Sequence, residues 1–355
     1  MNCDKSSRLK LIRFGGVIFL LILISLRLNS KPNALNLYAQ FLPDFLLRFF
    51  LNFRQGINLG LSRILPEPQL SLMKSLFFGG SATLPFELKN QIRRVGLSHL
   101  VAVSGSNLTI VTQILSILLN IFLSSSVINF LLSSFFILGF VVMADFSASV
   151  VRAAIMAILL LIARLTHRLY NSSFALIIAV LLMVLLNPRI IIDDLGFQLS
   201  VLATLGIVYL YPVFEKRSFW QKDIFKRQLA FLKETLLLSF SALIFVAPWI
   251  IYQTQMFSLV THMTNLLIVP LVPIIMVLGF LVAFLNFIFF PLAFFLGFCL
   301  TILLSYILKI ITIFSHWPMA EIFFPYFKII WLIIYYFLLI YFLYHERRKR
   351  IILKK

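Results

Sequence analysis

Over most of its length the chain alternates long apolar stretches with short polar ones. Apolar runs recur near 14–28, 99–122, 128–144, 148–165, 173–187, 197–213, 235–252, 259–285, 292–313 and 328–344. A hydrocarbon core of about 30 Å is crossed by roughly 20 apolar helical residues. The pattern therefore predicts an all-α, polytopic helical membrane protein with about ten transmembrane helices. One run, TNLLIVPLVPIIMVLGF, contains Pro270 and Pro273, which lack a backbone donor. A broken or re-entrant helix there would add an eleventh span.

Residues 29–97 follow a different period. Phe45, Phe49, Phe53 and Ile57 recur every fourth position, with Arg48, Asn52 and Gln55 on another side. Further on, Leu70, Met73 and Phe77 oppose Glu67, Ser71 and Lys74. Both stretches predict amphipathic helices, either lying in the membrane interface or docked as a hairpin on the protein's own bundle. Gly79-Gly80 ends the second helix, and Pro85 opens a third that closes at Arg93-Arg94. Four parts result: an N-terminal membrane anchor helix over 1–28, extracytoplasmic interfacial helices over 29–97, a transmembrane domain over 98–344 and a basic tail over 345–355.

Composition agrees with the pattern. Hydrophobic residues make up 61% of the chain and charged ones 12%, against about a quarter charged in a soluble protein. The net charge of +19 does not by itself point to nucleic acid, because Lys and Arg gather in the cytoplasmic loops of helical membrane proteins. That rule places both termini in the cytoplasm, with the loops 164–168 and 214–234. RLKLIR before FGGVIFLLILISL reads as an uncleaved anchor with its basic flank inside. Cys3 and Cys299 lie far apart and the histidines are scattered, so neither a disulfide nor a metal site is expected. No phosphate-binding loop is present. The reading is of a non-enzyme without cofactor.

Polar residues inside apolar spans carry the information, because each is costly in lipid. His99, Ser104, Gly105 and Asn107 stand at the start of one span, in GLSHLVAVSGSNLTIV. Gly105 permits bending and close approach, while Ser and Asn can satisfy backbone groups freed by a bend. Asp145 and Arg152 follow in VMADFSASVVRAAIMAILL, on one face if the residues between them are helical. A bare Arg at mid-membrane costs at least ~2.5 kcal/mol, so Arg152 is either paired with Asp145, snorkelling to the interface, or lining an aqueous path. Gln198, Ser200, Thr204 and Gly206 read either as close helix packing or as a polar face. Asn265 either ties carbonyls freed at the proline break or faces a pore.

Taken in order, these stretches resemble the ComEC family of competence proteins. The resemblance rests on LPFELKNQIRRVGLSHLVAVSGSNLTI, on SVVRAAIM, on NP before GFQLSVLATLG, and on FSLVTHMTNLLIVPLVPIIM. It runs from about Gln55 to Phe280. It implies an inner-membrane channel carrying single-stranded DNA into the cytoplasm during natural transformation. It also implies that His99, Ser104, Gly105, Asn107, Asp145, Arg152, Gln198, Ser200 and Asn265 line or shape the path, with Arg93, Arg94 and Arg152 meeting phosphates. Partners would be single-stranded DNA, the lipid bilayer, and separate DNA-receptor, motor and nuclease proteins. The OB-like and metallo-β-lactamase-like domains common in the family find no counterpart in the sequence. Asn107 stands where the family commonly has His. Two other readings use the same fold: a transporter of another solute, and a non-conducting remnant or scaffold.

Overall fold

The computed structural model describes residues 42–80, 84–122, 125–217, 227–318 and 320–352. The expected anchor helix at 14–28 lies outside the described residues. Fifteen α-helices are described: α1 (Asp44–Ser62), α2 (Gln69–Phe78), α3 (Phe86–Arg94), α4 (Ser98–Val101), α5 (Gly105–Phe122), α6 (Ser126–Met143), α7 (Ala148–Leu165), α8 (Ser172–Leu186), α9 (Ile190–Asp193), α10 (Leu195–Arg217), α11 (Arg227–Thr254), α12 (Thr261–Ile268), α13 (Val272–Ile288), α14 (Phe290–Ser315) and α15 (Ile329–Ile352). Two short strands, β1 (Met256–Ser258) and β2 (Glu321–Phe323), pair antiparallel with Phe257 opposite Ile322.

The class is helical, as the apolar pattern predicts, but the span count differs. Among the described residues, seven helical stretches are long and apolar enough to cross a membrane. Of the ten expected spans, 14–28 lies outside the described residues, and two others differ in form, although α5, at 18 residues, is as long as α6 and α7. The run 99–122 is broken: α4 stops at Val101, Ala102 turns extended with ψ 103°, and α5 restarts at Gly105. Helix α8 has 15 residues, about 22 Å at 1.5 Å per residue. The proline-bearing run keeps its direction instead of doubling back. A single 3₁₀ turn, Val269–Leu271, joins α12 to α13, and Thr261–Ile288 counts as one span, so no eleventh arises there.

Helix ends follow local chemistry. Ser125 accepts from the Ile128 amide, Asn171 from Phe174 and Asp194 from Phe197, each side chain meeting an amide that a helix start leaves unpaired. Glu67 accepts from both the amide and the hydroxyl of Ser71 in the first turn of α2.

The expected amphipathic pair separates into two different elements. Helix α1 buries Phe50, Ile57 and Leu61 and leaves Phe45, Phe49 and Phe53 exposed. Its inward stripe is therefore rotated from the one the four-residue period picks out, because α6 and α13 both press on it. Helix α2 has no outward face beyond Gln69 and Lys74; its other residues are all buried. Phe77 stacks on Phe280 with ring centroids 4.2 Å apart, and the Met73 side chain lies where a Cβ on Gly279 would stand. Helix α2 is a short internal helix held by α13, α14 and α4.

Small residues set the helix spacing, as expected where lipid gives no hydrophobic drive between helices. The α1–α13 contact brings the Ala283 carbonyl to 2.8 Å from where a Cβ on Gly60 would be. At the α10–α11 contact the Ser241 carbonyl takes up the Cβ position of Gly206. Gly206→Leu is therefore expected to lower stability by about 1–3 kcal/mol, read as the unfolding midpoint of the purified chain in detergent. Gly56→Ala, where nothing lies within 4 Å, should leave that midpoint unchanged or raised.

Candidate functional site

The break between α4 and α5 organises the polar residues around it. A chain leaving the helix at Ala102 exposes carbonyls that no helical amide will meet, and lipid offers no water to replace it. The Ser149 hydroxyl, in the first turn of α7, donates to the Val103 carbonyl at 2.6 Å. Asn107 is fully buried, and its amide donates to the Leu76 carbonyl at 2.9 Å. That carbonyl belongs to the last turn of α2, where helices run out of amides. The Asn107 side-chain oxygen accepts from the Ser104 hydroxyl, which also meets Ser106. Ser104 and Asn107 thus spend their polar groups on the break itself.

Gly105 opens α5 against the start of α7. A Cβ there would come to 3.0 Å from both Nη2 of Arg152 and the Ala153 side chain. The guanidinium is thereby set beside the first residue of α5. Arg152 is only 8% exposed, and its Nε and Nη1 atoms are buried with no hydrogen-bond partner. The phenol of Tyr170, in the loop after α7, feels this charge. Burial pushes its ionisation up, against the pull of Arg152, so it is neutral and supplies no counter-charge.

Asp145 does not pair with Arg152. Asp145 and Phe146 have φ of 50° and 53° in the turn between α6 and α7. The one-face arrangement required a helical turn there, and these left-handed residues remove it. Asp145 instead accepts from Arg54 of α1 at 2.5 Å, and that guanidinium lies 5.1 Å from the Phe78 ring centroid. Sequence offered no signal for Arg54, which is remote in the chain and sits in a helix read for its apolar stripe.

The remaining candidates lie in other settings. Arg93 and Arg94, exposed at the end of α3, both face Glu321 of β2 at 3.9 Å. One carboxylate cannot neutralise two guanidinium groups, so the cluster stays net positive. His99 is exposed, its Nδ1 3.2 Å from the Gly96 carbonyl. Gly96 has φ 76°, and Thr261 fills its Cβ position, so only glycine fits this turn. Gln198 donates to the carbonyls of Ile191 and Ile192 and accepts from the Trp249 indole at 2.8 Å. Ser200 donates within its own helix to Phe197. Asn265 donates to Ser239 at 3.1 Å and leaves its buried oxygen without a partner. The structure thus brings together Ser104, Gly105, Asn107 and Arg152, and gives Asp145, Gln198 and Ser200 structural partners elsewhere.

Residues 76–349 match the family described as Competence protein. The chain belongs to the Competence family. It is also similar to ComE operon protein 3 of Bacillus subtilis (strain 168), 24% identical over 221 residues that cover 62% of this chain and 27% of that protein. The chain therefore spans about a quarter of the length of this curated relative. No solved structure matches. The Competence match takes in the break, Arg152, the Arg93–Arg94 pair and Glu321, and leaves out Arg54.

Two polar side chains separate packing from charge effects. Gln198→Leu strips partners from two carbonyls and an indole N–H, and is expected to cost roughly 1–3 kcal/mol. Asp145→Asn weakens a half-exposed ion pair, expected to cost under about 1 kcal/mol. Detergent unfolding of the two purified variants side by side checks the order.

Proposed function

We propose that the chain acts in DNA uptake as a membrane channel that passes single-stranded DNA inward during natural transformation. Membership of the Competence family across residues 76–349 carries this reading. The relative it resembles is a ComE operon protein, which agrees with it. A strand in transit needs cations that follow its phosphates and a route that stays wet. In this reading Arg93 and Arg94 receive the strand at the mouth, with charge that Glu321 only partly offsets. Arg152 is met further in. His99, Ser104, Gly105, Asn107 and Asn265 shape the route, Asn107 by holding α2 and α5 together. Gln198 and Ser200 keep α9, α10 and α11 in register, and Asp145 fixes α1 against the turn before α7. Other competence proteins are its partners in this reading.

The pairing of Asp145 with Arg54 bears on the alternative of a small-solute transporter. That alternative calls for a closed pocket around Asp145 and Arg152; Asp145 pairs with Arg54, and Nε and Nη1 of Arg152 have no hydrogen-bond partner.

The test is entry of labelled DNA into the cytoplasm of a host lacking its own channel, with and without this chain. The chain should restore entry. Arg152→Leu, and the double change Arg93→Gln with Arg94→Gln, should each lower entry by about tenfold at equal membrane abundance, the value of one or two lost charge-assisted contacts. Entry equal to that of the empty host, with the chain inserted, would rule against an autonomous channel.

A further inference from the structure

The starts of α5 and α7 lie side by side. The Ser149 hydroxyl bonds to Val103, and the Ser149 carbonyl comes to 3.6 Å from the Cβ position of Gly105. Both are 18-residue helices, and each start carries partial positive charge from amides without intrahelical partners. Between them sits the guanidinium of Arg152, more than nine-tenths buried, with Nη2 against Gly105 and with Nε and Nη1 unpartnered. Three sources of positive potential therefore converge at one point. The acidic residue nearest in sequence, Asp145, is turned away to Arg54. A buried cation left this way calls for an anion with several acceptor oxygens, because guanidinium donors form a fork. Helix starts favour the same class of ligand.

We propose that Arg152 and the converging starts of α5 and α7 form a binding site for a single phosphate group. Gly105 admits the guanidinium: any side chain at this position would push against it. In naming the phosphodiester of a DNA strand as the ligand, the proposal rests on the DNA-uptake reading. The phosphodiester of an anionic lipid headgroup has the same chemistry and is the other source.

The test uses the purified full chain in phosphatidylcholine nanodiscs. Inorganic phosphate should raise the unfolding midpoint of the unaltered protein above that in chloride at matched ionic strength, and Arg152→Gln should abolish the rise. Oligothymidylate affinity should fall about tenfold in Arg152→Gln, and the salt dependence of binding should lose about one unit of slope. An oligonucleotide with uncharged methylphosphonate linkages should show no dependence on Arg152. Arg152→Lys keeps the charge without the fork and should retain part of the affinity. If phosphatidylglycerol in the disc stabilises the protein through Arg152 while oligothymidylate binding is unaffected by Arg152→Gln, the phosphate site stands and its ligand is a headgroup. If the unaltered protein responds to none of phosphate, oligothymidylate and phosphatidylglycerol, the site is overturned; this arm needs no variant to fold. Loss of DNA entry in cells with phosphate binding intact would count against the channel and not against the site.

Discussion

In a bilayer every backbone amide and carbonyl must find its partner inside the protein. The structure around α4 and α5 is arranged by that requirement. Once the chain leaves the helix at Ala102, the freed carbonyls have no solvent to turn to. Ser149 reaches across from α7 to Val103, and Asn107 reaches from α5 to the open end of α2. These two bonds join three helices at one level of the bundle. The polar residues of VSGSN are there because the break is there.

The same requirement explains why α2 can be short and internal. A ten-residue helix is about 15 Å long and cannot cross a membrane. With its carbonyl end held by Asn107 and its first turn by Glu67, it can sit among longer helices without exposing backbone to lipid. Apolar contacts then do the packing, from Phe77 on Phe280 to Met73 on Gly279. Gln198 performs a comparable service elsewhere, meeting two carbonyls at α9 and tying them to Trp249.

Arg152 is a buried cation that this accounting leaves open. Asn107, Ser149 and Gln198 all spend their polar atoms on the protein, whereas Nε and Nη1 of Arg152 do not. Burying such a charge costs at least ~2.5 kcal/mol even on lenient scales. Its neighbours are two helix starts, which raise the positive potential further. Arg93 and Arg94 differ in kind: they are exposed, solvent-screened and shared by Glu321, so their electrostatic effect is long-range and salt-sensitive.

The helical class, the position of most long apolar helices and the polar cluster of VSGSN were legible in the sequence, because apolar run length and local polarity need no knowledge of neighbours. Helix α7 begins and ends where its run does, and Arg152 stood out because a lone cation in an apolar run is expensive wherever the helix packs. Partners were not legible. Arg54 meets Asp145 from 91 residues away. Glu321 reaches Arg93 and Arg94 through a β-ribbon too short to leave a periodic trace. Which residues of α1 turn inward was not legible either, since a helix rich in Phe on several sides has no single inward face until α6 and α13 choose one. The sequence by itself determined which segments belong in lipid and which residues are costly there. The tertiary structure alone decided which of those costs are met, because a partner is a matter of distance in space and not of spacing along the chain.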